Sequence, residues 1–482
     1  MEEKARELYR LRYHVLAAVM LGGIMGPIDG SIVNTILPTL SEFFKAPVSA
    51  VQWVPMIYLL TVSSLLLLYG RLGDIYGYRR VYLWGLSSFV VTSALCGLSP
   101  SIRWLIFFRA LQGLAAGMMM AVPFAIITAV FPPTERGRAL GINAISISAG
   151  LAIGPSLGGL ITSLLGWRYA FLINIPIGLF GLYWACRIIP DLKGEPGRVD
   201  VMGAVTAFGF LFAFLMFVNI AQRYGCNRLA AVALAISLLF LAAFLGLERK
   251  LPQPMLNLYL FKNINFSFAC LSALFNFMAQ YVLVFVTPFY LQRVLGFDSG
   301  KVGLIMTAFP LAVMAVAPFS GSLSDRIGTT LLPVVGASTS ALAVVMMSTL
   351  SSAAPPSAVI WRLVVFGAGT GIFQSPNTSA AMGTVPRPYL GIASGVLATV
   401  RNVGMVLGIA TAGAALYAFT PHQMLQSPVL GSGEALEFLH GLQRTYLVGA
   451  LLCALAALSS LVRRNLQGGG EATDRTSERV SG

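Results

Sequence analysis

Apolar residues along this 482-residue chain come in long unbroken runs separated by short polar stretches. The runs fall at about 14–40, 51–69, 81–98, 104–131, 139–164, 169–189, 201–221, 229–247, 265–292, 302–320, 331–350, 358–385, 391–419 and 445–463. A helix needs about 20 apolar residues to cross a bilayer. The pattern therefore predicts fourteen transmembrane helices and an all-α integral membrane protein. The polar start, MEEKARELYRLRY, enters the first run without a small-residue cleavage signal. That run reads as a retained helix and not as a signal peptide.

Composition narrows the class. The chain is 57% hydrophobic and 10% charged, against about 25% charged residues in soluble proteins. A soluble enzyme, a disordered chain and a disulfide scaffold are excluded. Of the five cysteines, Cys96, Cys186, Cys270 and Cys453 lie in apolar runs and Cys226 in a short loop, so thiols are expected. The net charge of +14 would suit nucleic acid, but cationic residues also collect in cytoplasmic loops. With fourteen spans both termini share one side. That side holds 21 of the 32 Lys and Arg, the other side nine, and Arg109 and Arg401 lie within spans. The bias places both termini in the cytoplasm and explains the charge without nucleic acid.

The two halves repeat. Gly70-Arg-Leu-Gly-Asp74-Ile-Tyr-Gly77 has a partner in Gly321-Ser-Leu-Ser-Asp325-Arg-Ile-Gly328, displaced by 251. Arg109 and Arg362, like Pro123 and Pro376, are displaced by 253, and Gly141, Gly154 and Gly158 recur at Gly391, Gly404 and Gly408, displaced by 250. Three motifs at nearly one offset indicate an internal duplication. The expected organisation is an N-terminal six-helix lobe (1–195), two inserted transmembrane helices (196–262), a C-terminal six-helix lobe (263–464) and a disordered cytoplasmic tail (465–482).

Asp29 is the most informative residue. It stands fifteen residues into the first run, roughly 22 Å from the inner end at 1.5 Å per residue. The other acids lie in tails, loops or span ends. An ionisable group at such depth is a functional candidate by default. Burial favours its neutral form and a nearby cation its charged form, so a changing neighbourhood would load and release a proton. A permanent structural ion pair is the alternative. Arg109, five residues into an inward-running span, falls at a compatible level and is the natural partner; bonding to carbonyls would equally hold it. Arg401, midway along the thirteenth span, is a candidate counterpart in the second lobe, for substrate or for packing.

Further residues are arranged for packing and binding. Gly150, Gly154 and Gly158 form a flat stripe suited to close helix contact, which reads as tight lobe-to-lobe packing, and Pro155 allows a bend. Generic helix packing would use the same stripe. Ser272, Asn276, Gln280 and Thr287 make a polar stripe on the ninth span, with Thr370, Gln374 and Asn377 on the twelfth. Aromatic walls would come from Trp53, Tyr58, Phe275, Tyr281 and Phe373. A large apolar pocket with a few polar groups suits bulky amphiphiles, although helix packing explains each residue as well. His14, His422 and His440 are the only histidines, and no Cys/His/Asp set has metal-ligand or triad spacing. No cofactor, no metal and no enzymatic activity are expected.

Four motifs carry a resemblance. Gly70–Arg80 looks like the loop between helices 2 and 3 of the major facilitator superfamily, and Leu105–Gly113 resembles its fourth-helix motif. Gly150–Gly159 resembles the fifth-helix antiporter motif. Asp29-Gly-Ser-Ile-Val-Asn34-Thr-Ile-Leu-Pro38 resembles the first-helix motif of fourteen-span drug:proton antiporters of the EmrB/QacA type. The resemblance implies the major facilitator fold and a proton-coupled exporter of lipophilic or amphiphilic compounds working by alternating access. It assigns proton coupling to Asp29 and Arg109, and a conformational gate to Gly70, Asp74, Gly77, Arg79, Arg80, Gly150, Gly154, Pro155, Gly158 and Asp325. Substrate contacts are expected from Asn34, Trp53, Tyr58, Gln112, Phe275, Asn276, Gln280, Tyr281, Gln374, Asn377 and Arg401. The expected partners are a small amphiphilic substrate, protons and the lipid bilayer, with the protein acting as a monomer in the cell inner membrane. One departure counts against cationic drugs: many multidrug members carry further membrane acids, whereas this chain has Asp29 alone. Neutral, zwitterionic or lipid-like cargo stays open, and a lipid or lysolipid transporter on the same fold is the alternative.

Overall fold

Each of the fourteen apolar runs folds as helix. The computed structural model describes residues 2–132, 135–191, 201–225, 227–249, 258–385, 390–426 and 432–480. The expected domain boundary at 195–196 and Cys226 lie outside these residues, as does the side chain of Asp325. The first six helices are α1 (Glu2–Phe43), α2 (Trp53–Tyr76), α3 (Tyr78–Gly97), α4 (Ile102–Ala121, resuming over Pro123–Val130), α5 (Arg136–Leu165) and α6 (Asn174–Ile188). A pair follows, α7 (Val201–Tyr224) and α8 (Arg228–Glu248). The remaining helices are α9 (Ile264–Phe289), α10 (Ser299–Met306 and Ala308–Ile327), α11 (Leu331–Met347), α12 (Pro356–Gly383), α13 (Leu390–Phe419) and α14 (Ser432–Val480). The polar tail expected to be disordered extends α14 to Val480.

Twelve of these helices are long and apolar enough to cross a membrane, among the described residues. The count of fourteen thus needs α3 and α11 as well. Helix α3 carries Arg79 and Arg80 in its first turn, and α11 is only 17 residues long.

Helices α1–α6 pack together, with α1 on α5 and α6, α2 on α4, and α3 on α4 and α6. Helices α9–α14 form the second group, with α9 on α13 and α14, α10 on α12, and α11 on α12 and α14. The duplication extends to the backbone. Gly77 (φ 91°) links α2 to α3 and Gly328 (φ 88°) links α10 to α11, each donating its N–H to a carbonyl four residues back, Gly73 (3.0 Å) and Ser324 (2.9 Å). Positive φ at these turns is open to glycine at little cost.

The glycine stripe faces inward within its own lobe, which corrects the expected lobe-to-lobe role. A Cβ at Gly150 would lie 3.0 Å from the Ile24 carbonyl oxygen, one at Gly158 would lie 3.0 Å from Ile32 Cα, and one at Gly154 would collide with Ser31. All three meet α1 because positions four apart share one helix face. Gly404 and Gly408 of α13 pack in the same way on Leu274 and Met278 of α9.

The lobes themselves meet one residue further round α5. A Cβ at Gly159 would collide with the Ser299 carbonyl oxygen, and one at Gly303 with that of Pro155. Nearby, Thr39 Oγ1 and Ser299 Oγ are 3.0 Å apart. Arg293, in a wide turn after Pro288, donates to Ser41 Oγ across the seam at 2.7 Å. These contacts lie at the end where α1 finishes, opposite the termini. Helix α7 lies against both α2 and α13, bringing Phe212 within 6.0 Å of Trp53. Helix α8 leans on α7 and leaves Leu229, Val232 and Leu239 exposed.

Two glycine substitutions separate packing within a lobe from contact between lobes. Gly154→Val overpacks α5 on α1 and lowers stability by about 1–3 kcal/mol, read as the thermal unfolding transition in detergent. Gly303→Val spreads the closed end, read as a longer spin–spin distance between labels at Lys45→Cys and Phe297→Cys. An unchanged distance would show that this backbone contact does not hold the end closed.

Candidate functional site

Asp29 and Arg109 meet inside the N-terminal lobe, where α1 crosses α4. Arg109 Nη1 donates to Asp29 Oδ2. The other carboxylate oxygen, Oδ1, accepts from Gln112 Nε2 at 3.1 Å and from Asn174 Nδ2 at 3.0 Å. Ser93 Oγ accepts from the same two amides, at 2.7 and 2.9 Å. Gln112 Oε1 in turn accepts from Arg109 Nη1 (2.7 Å) and from the Cys96 thiol (3.4 Å). Asp29 is 1% exposed and Arg109, Gln112 and Ser93 are 0% exposed, so bulk water reaches none of them in this state.

The local sequence explains the arrangement. Arg109 and Gln112 are three residues apart on α4 and so share a face. Asp29 precedes Gly30, whose lack of a side chain keeps that turn of α1 slim. The charges survive burial because two helices, α4 and α6, aim three donor side chains at a single carboxylate, the condition under which a buried ion pair is tolerated. Arg109 Nε also donates to the Val54 carbonyl at 3.3 Å, and its guanidinium lies 4.0 Å from the Tyr58 ring centroid. Its Nη2 has no partner among the described residues.

A cavity of about 320 Å³ lies between the lobes. Its wall holds Gly30, Ser31, Asn34 and Tyr58 from one lobe and Gln280, Tyr281, Gln374, Arg401 and Asn402 from the other, on an apolar ground of Met, Phe, Val and Leu. Of the expected substrate contacts, Asn34, Tyr58, Gln280, Tyr281, Gln374 and Arg401 line it. Five others lie elsewhere. Gln112 belongs to the Asp29 network, Trp53 packs on Phe212, Phe275 sits in the apolar core, and Asn276 is fully buried. Asn377 donates to the Ala269 carbonyl at 3.0 Å. Asp29 itself stands one layer behind the wall, joined to it through Arg109 and Tyr58.

The loop residues are placed away from the cavity. Asp74 accepts the Tyr78 hydroxyl at 2.6 Å, Arg79 donates to the Cys186 carbonyl at 2.6 Å, and Arg80 is exposed. Gly70 has open space around it and Pro155 lines the cavity. Arg362, the repeat partner of Arg109, meets no carboxylate: it donates to the Met346 and Ala358 carbonyls at 2.9 and 2.7 Å. Sequence reasoning missed Ser93, Cys96 and Asn174. Asn174, a lone amide between Ile173 and Ile175 in an apolar run, was the available signal.

A profile of the Major Facilitator Superfamily matches residues 19–409. The chain belongs to that superfamily. This facilitator is 34% identical over 405 residues to the uncharacterized transporter YebQ of Escherichia coli, covering 83% of this chain and 88% of the relative. It is 34% identical over 402 residues to the riboflavin transporter RibZ of Clostridioides difficile (83% and 87% covered). With the multidrug resistance protein Stp of Mycobacterium tuberculosis it shares 31% over 413 residues (85% and 77%). A solved bacterial homologue of the human lysosomal transporter Spinster superposes with a TM-score of 0.67 at 18% identity, covering 94% of this chain and 97% of that one. The facilitator is thus a multi-pass membrane transporter for a small molecule, and not an enzyme.

Removing either charge alone strands the other in a dry interior. Asp29→Asn and Arg109→Gln should each lower stability by about 3–5 kcal/mol, whereas the double variant loses less than the sum. A double-mutant cycle on thermal unfolding measures the coupling, and strict additivity would mean that the two charges do not depend on each other.

Proposed function

We propose that this protein is a proton-coupled antiporter that exports lipophilic or amphiphilic compounds by alternating access, with Asp29 as the proton carrier and Arg109 as its partner. The observation that carries the reading is the buried Asp29–Arg109 pair one layer behind the wall of the interlobe cavity. Protonating Asp29 would leave the Arg109 charge without a counter-ion in a low-dielectric interior, which is unfavourable. A state in which the pair opens and hydrates would then be preferred. Cargo that binds one state better than the other links its own movement to that proton. Relatives named for multidrug resistance and for tetracenomycin C export support this cargo class.

Orientation follows from the basic-residue bias, which puts the termini inside. The end where Gly159 packs on Gly303 is then the outer one. A carboxylate held by Arg109 suits a state that has released its proton inward. Counting α3 and α11 as short spans gives the fourteen of the drug:proton type. The protein acts as a monomer in the cell inner membrane, with cargo contacts from the cavity-lining Asn34, Tyr58, Gln280, Tyr281, Gln374 and Arg401, gate roles for Gly70, Asp74, Gly77, Arg79, Arg80 and Asp325 as assigned from the sequence, and Gln112 in support of Asp29.

Accumulation of a fluorescent lipophilic dye in inside-out vesicles tests the reading, with and without an imposed proton gradient. Asp29→Asn should lower gradient-driven accumulation at least about tenfold, a barrier change of about 1.4 kcal/mol or more, while Asn174→Ala, which keeps both charges, retains coupling. Full gradient-driven transport by Asp29→Asn would remove Asp29 from the coupling path. Riboflavin and a labelled lysolipid run alongside. Lysolipid movement without dye transport would assign the cavity to lipids.

A further inference from the structure

The two lobes treat their membrane-embedded arginines differently. Arg109 has Asp29. Arg401 has no hydrogen bond or ion pair to any described residue, yet it stands within a spanning helix, Gly395–Phe419, and lines the cavity. The position displaced from Asp29 by 251, the offset that relates Asp74 to Asp325, is Gln280. Its Oε1 is taken by Gln374 Nε2 at 3.3 Å. The C-terminal lobe therefore carries the cation without the acid.

The cavity wall sharpens the imbalance. Among the described residues it contains no Asp, Glu, Lys or His, and Arg401 is their one formal charge. A lone cation in a poorly solvated apolar site is costly, and such charges face a cavity and pair with something. Beside it, Asn402 is 4% exposed and its Nδ2 has no hydrogen-bond partner among the described residues, nor has the Tyr58 hydroxyl across the cavity. A guanidinium presents five N–H donors in a planar fork that fits carboxylate, sulfonate or phosphate oxygens. The remaining wall, with Met306, Phe309 and Val284, asks for an apolar body.

We propose that the cargo is an amphiphilic organic anion whose charged group pairs with Arg401, an inference that rests on the cavity being the cargo site of the export reading. The carboxylate, sulfonate or phosphate supplies the counter-charge that the lobe lacks, Asn402 donates a further hydrogen bond to it, and the apolar body fills the Met- and Phe-lined remainder. Both water-soluble aryl acids and anionic lysolipids carry this chemistry.

Binding of matched dansyl probes to purified protein in detergent tests it, by equilibrium dialysis against protein-free micelles. The probes are dansylglycine, an anion; dansylglycinamide, its neutral isostere; and dansylethylenediamine, a cation. Wild type should bind the anion at least about tenfold more tightly than the amide, and the cation least. Arg401→Gln should bring the anion-to-amide ratio near one, and Arg401→Lys should restore a preference in a protein of the same packing. Competition separates the sources. Displacement of dansylglycine by lysophosphatidate assigns the site to anionic lipid as well, and failure to displace it restricts the site to soluble acids, the anion requirement standing in both cases. Equal binding of anion and amide by wild type overturns the proposal, and so does an anion preference that survives in Arg401→Gln. Gradient-driven, Asp29-dependent transport of the amide without anion preference would overturn this inference and leave the export reading intact. Anion preference without gradient dependence would do the reverse.

Discussion

A carboxylate and a guanidinium buried in the middle of an apolar helix bundle constrain everything around them. Each charge is tolerable only while the other is present and while the remaining lone pairs find donors. The lobe meets that demand with Gln112 from α4 and Asn174 from α6, which donate to Asp29 of α1 and also to Ser93 Oγ of α3. Four helices are thereby tied at one point, and any change in the charge of Asp29 is felt by all of them. The interlobe cavity is one aromatic ring away, because Tyr58, which supports the Arg109 guanidinium, also lines that cavity.

Glycine governs how closely the helices approach. Gly150, Gly154 and Gly158 let α5 press on α1, so that the helix bearing Asp29 is backed by a rigid neighbour. Gly159 and Gly303 do a different job one step round the same helix, letting backbone meet backbone between the lobes. Without a hydrophobic drive between helices in lipid, such close approach is a main source of attraction. The contact within a lobe is extensive, whereas the tightest backbone approach between the lobes is at Gly159 and Gly303. Hydrogen bonds from Thr39 and Arg293 join that seam, and polar links of this kind exchange readily for water.

The duplication is closer in backbone than in chemistry. Gly77 and Gly328 repeat the same turn and the α5–α1 packing recurs as α13 on α9, but the charge pair does not recur. Arg362, at the place of Arg109, donates to a carbonyl in the last turn of α11 and to one in the first turn of its own helix, and Gln280 stands where the acid would be. One lobe keeps a compensated pair shut away from the cavity. The other presents an uncompensated cation to it.

Much of this was legible in the residues alone. Fourteen apolar runs fold as helices, twelve of them long and apolar enough to cross a bilayer among the described residues, because a bilayer demands length and apolarity from each segment separately; the charge bias and repeat offsets are likewise one-dimensional signals. The depth of Asp29 and Arg109 along their spans was readable from 1.5 Å per residue, and so was their compatibility as partners. Which face of a helix meets which neighbour was not. The stripe of three glycines carried no mark saying that it faces α1 and that Gly159 faces the other lobe. Gln112 looked like a substrate contact, and Asn174 and Ser93 like ordinary polar residues, until α3, α4 and α6 were brought around Asp29. Rotation about a helix axis is decided by packing against several neighbours at once, and one chain read in order contains only the spacing from which that rotation starts.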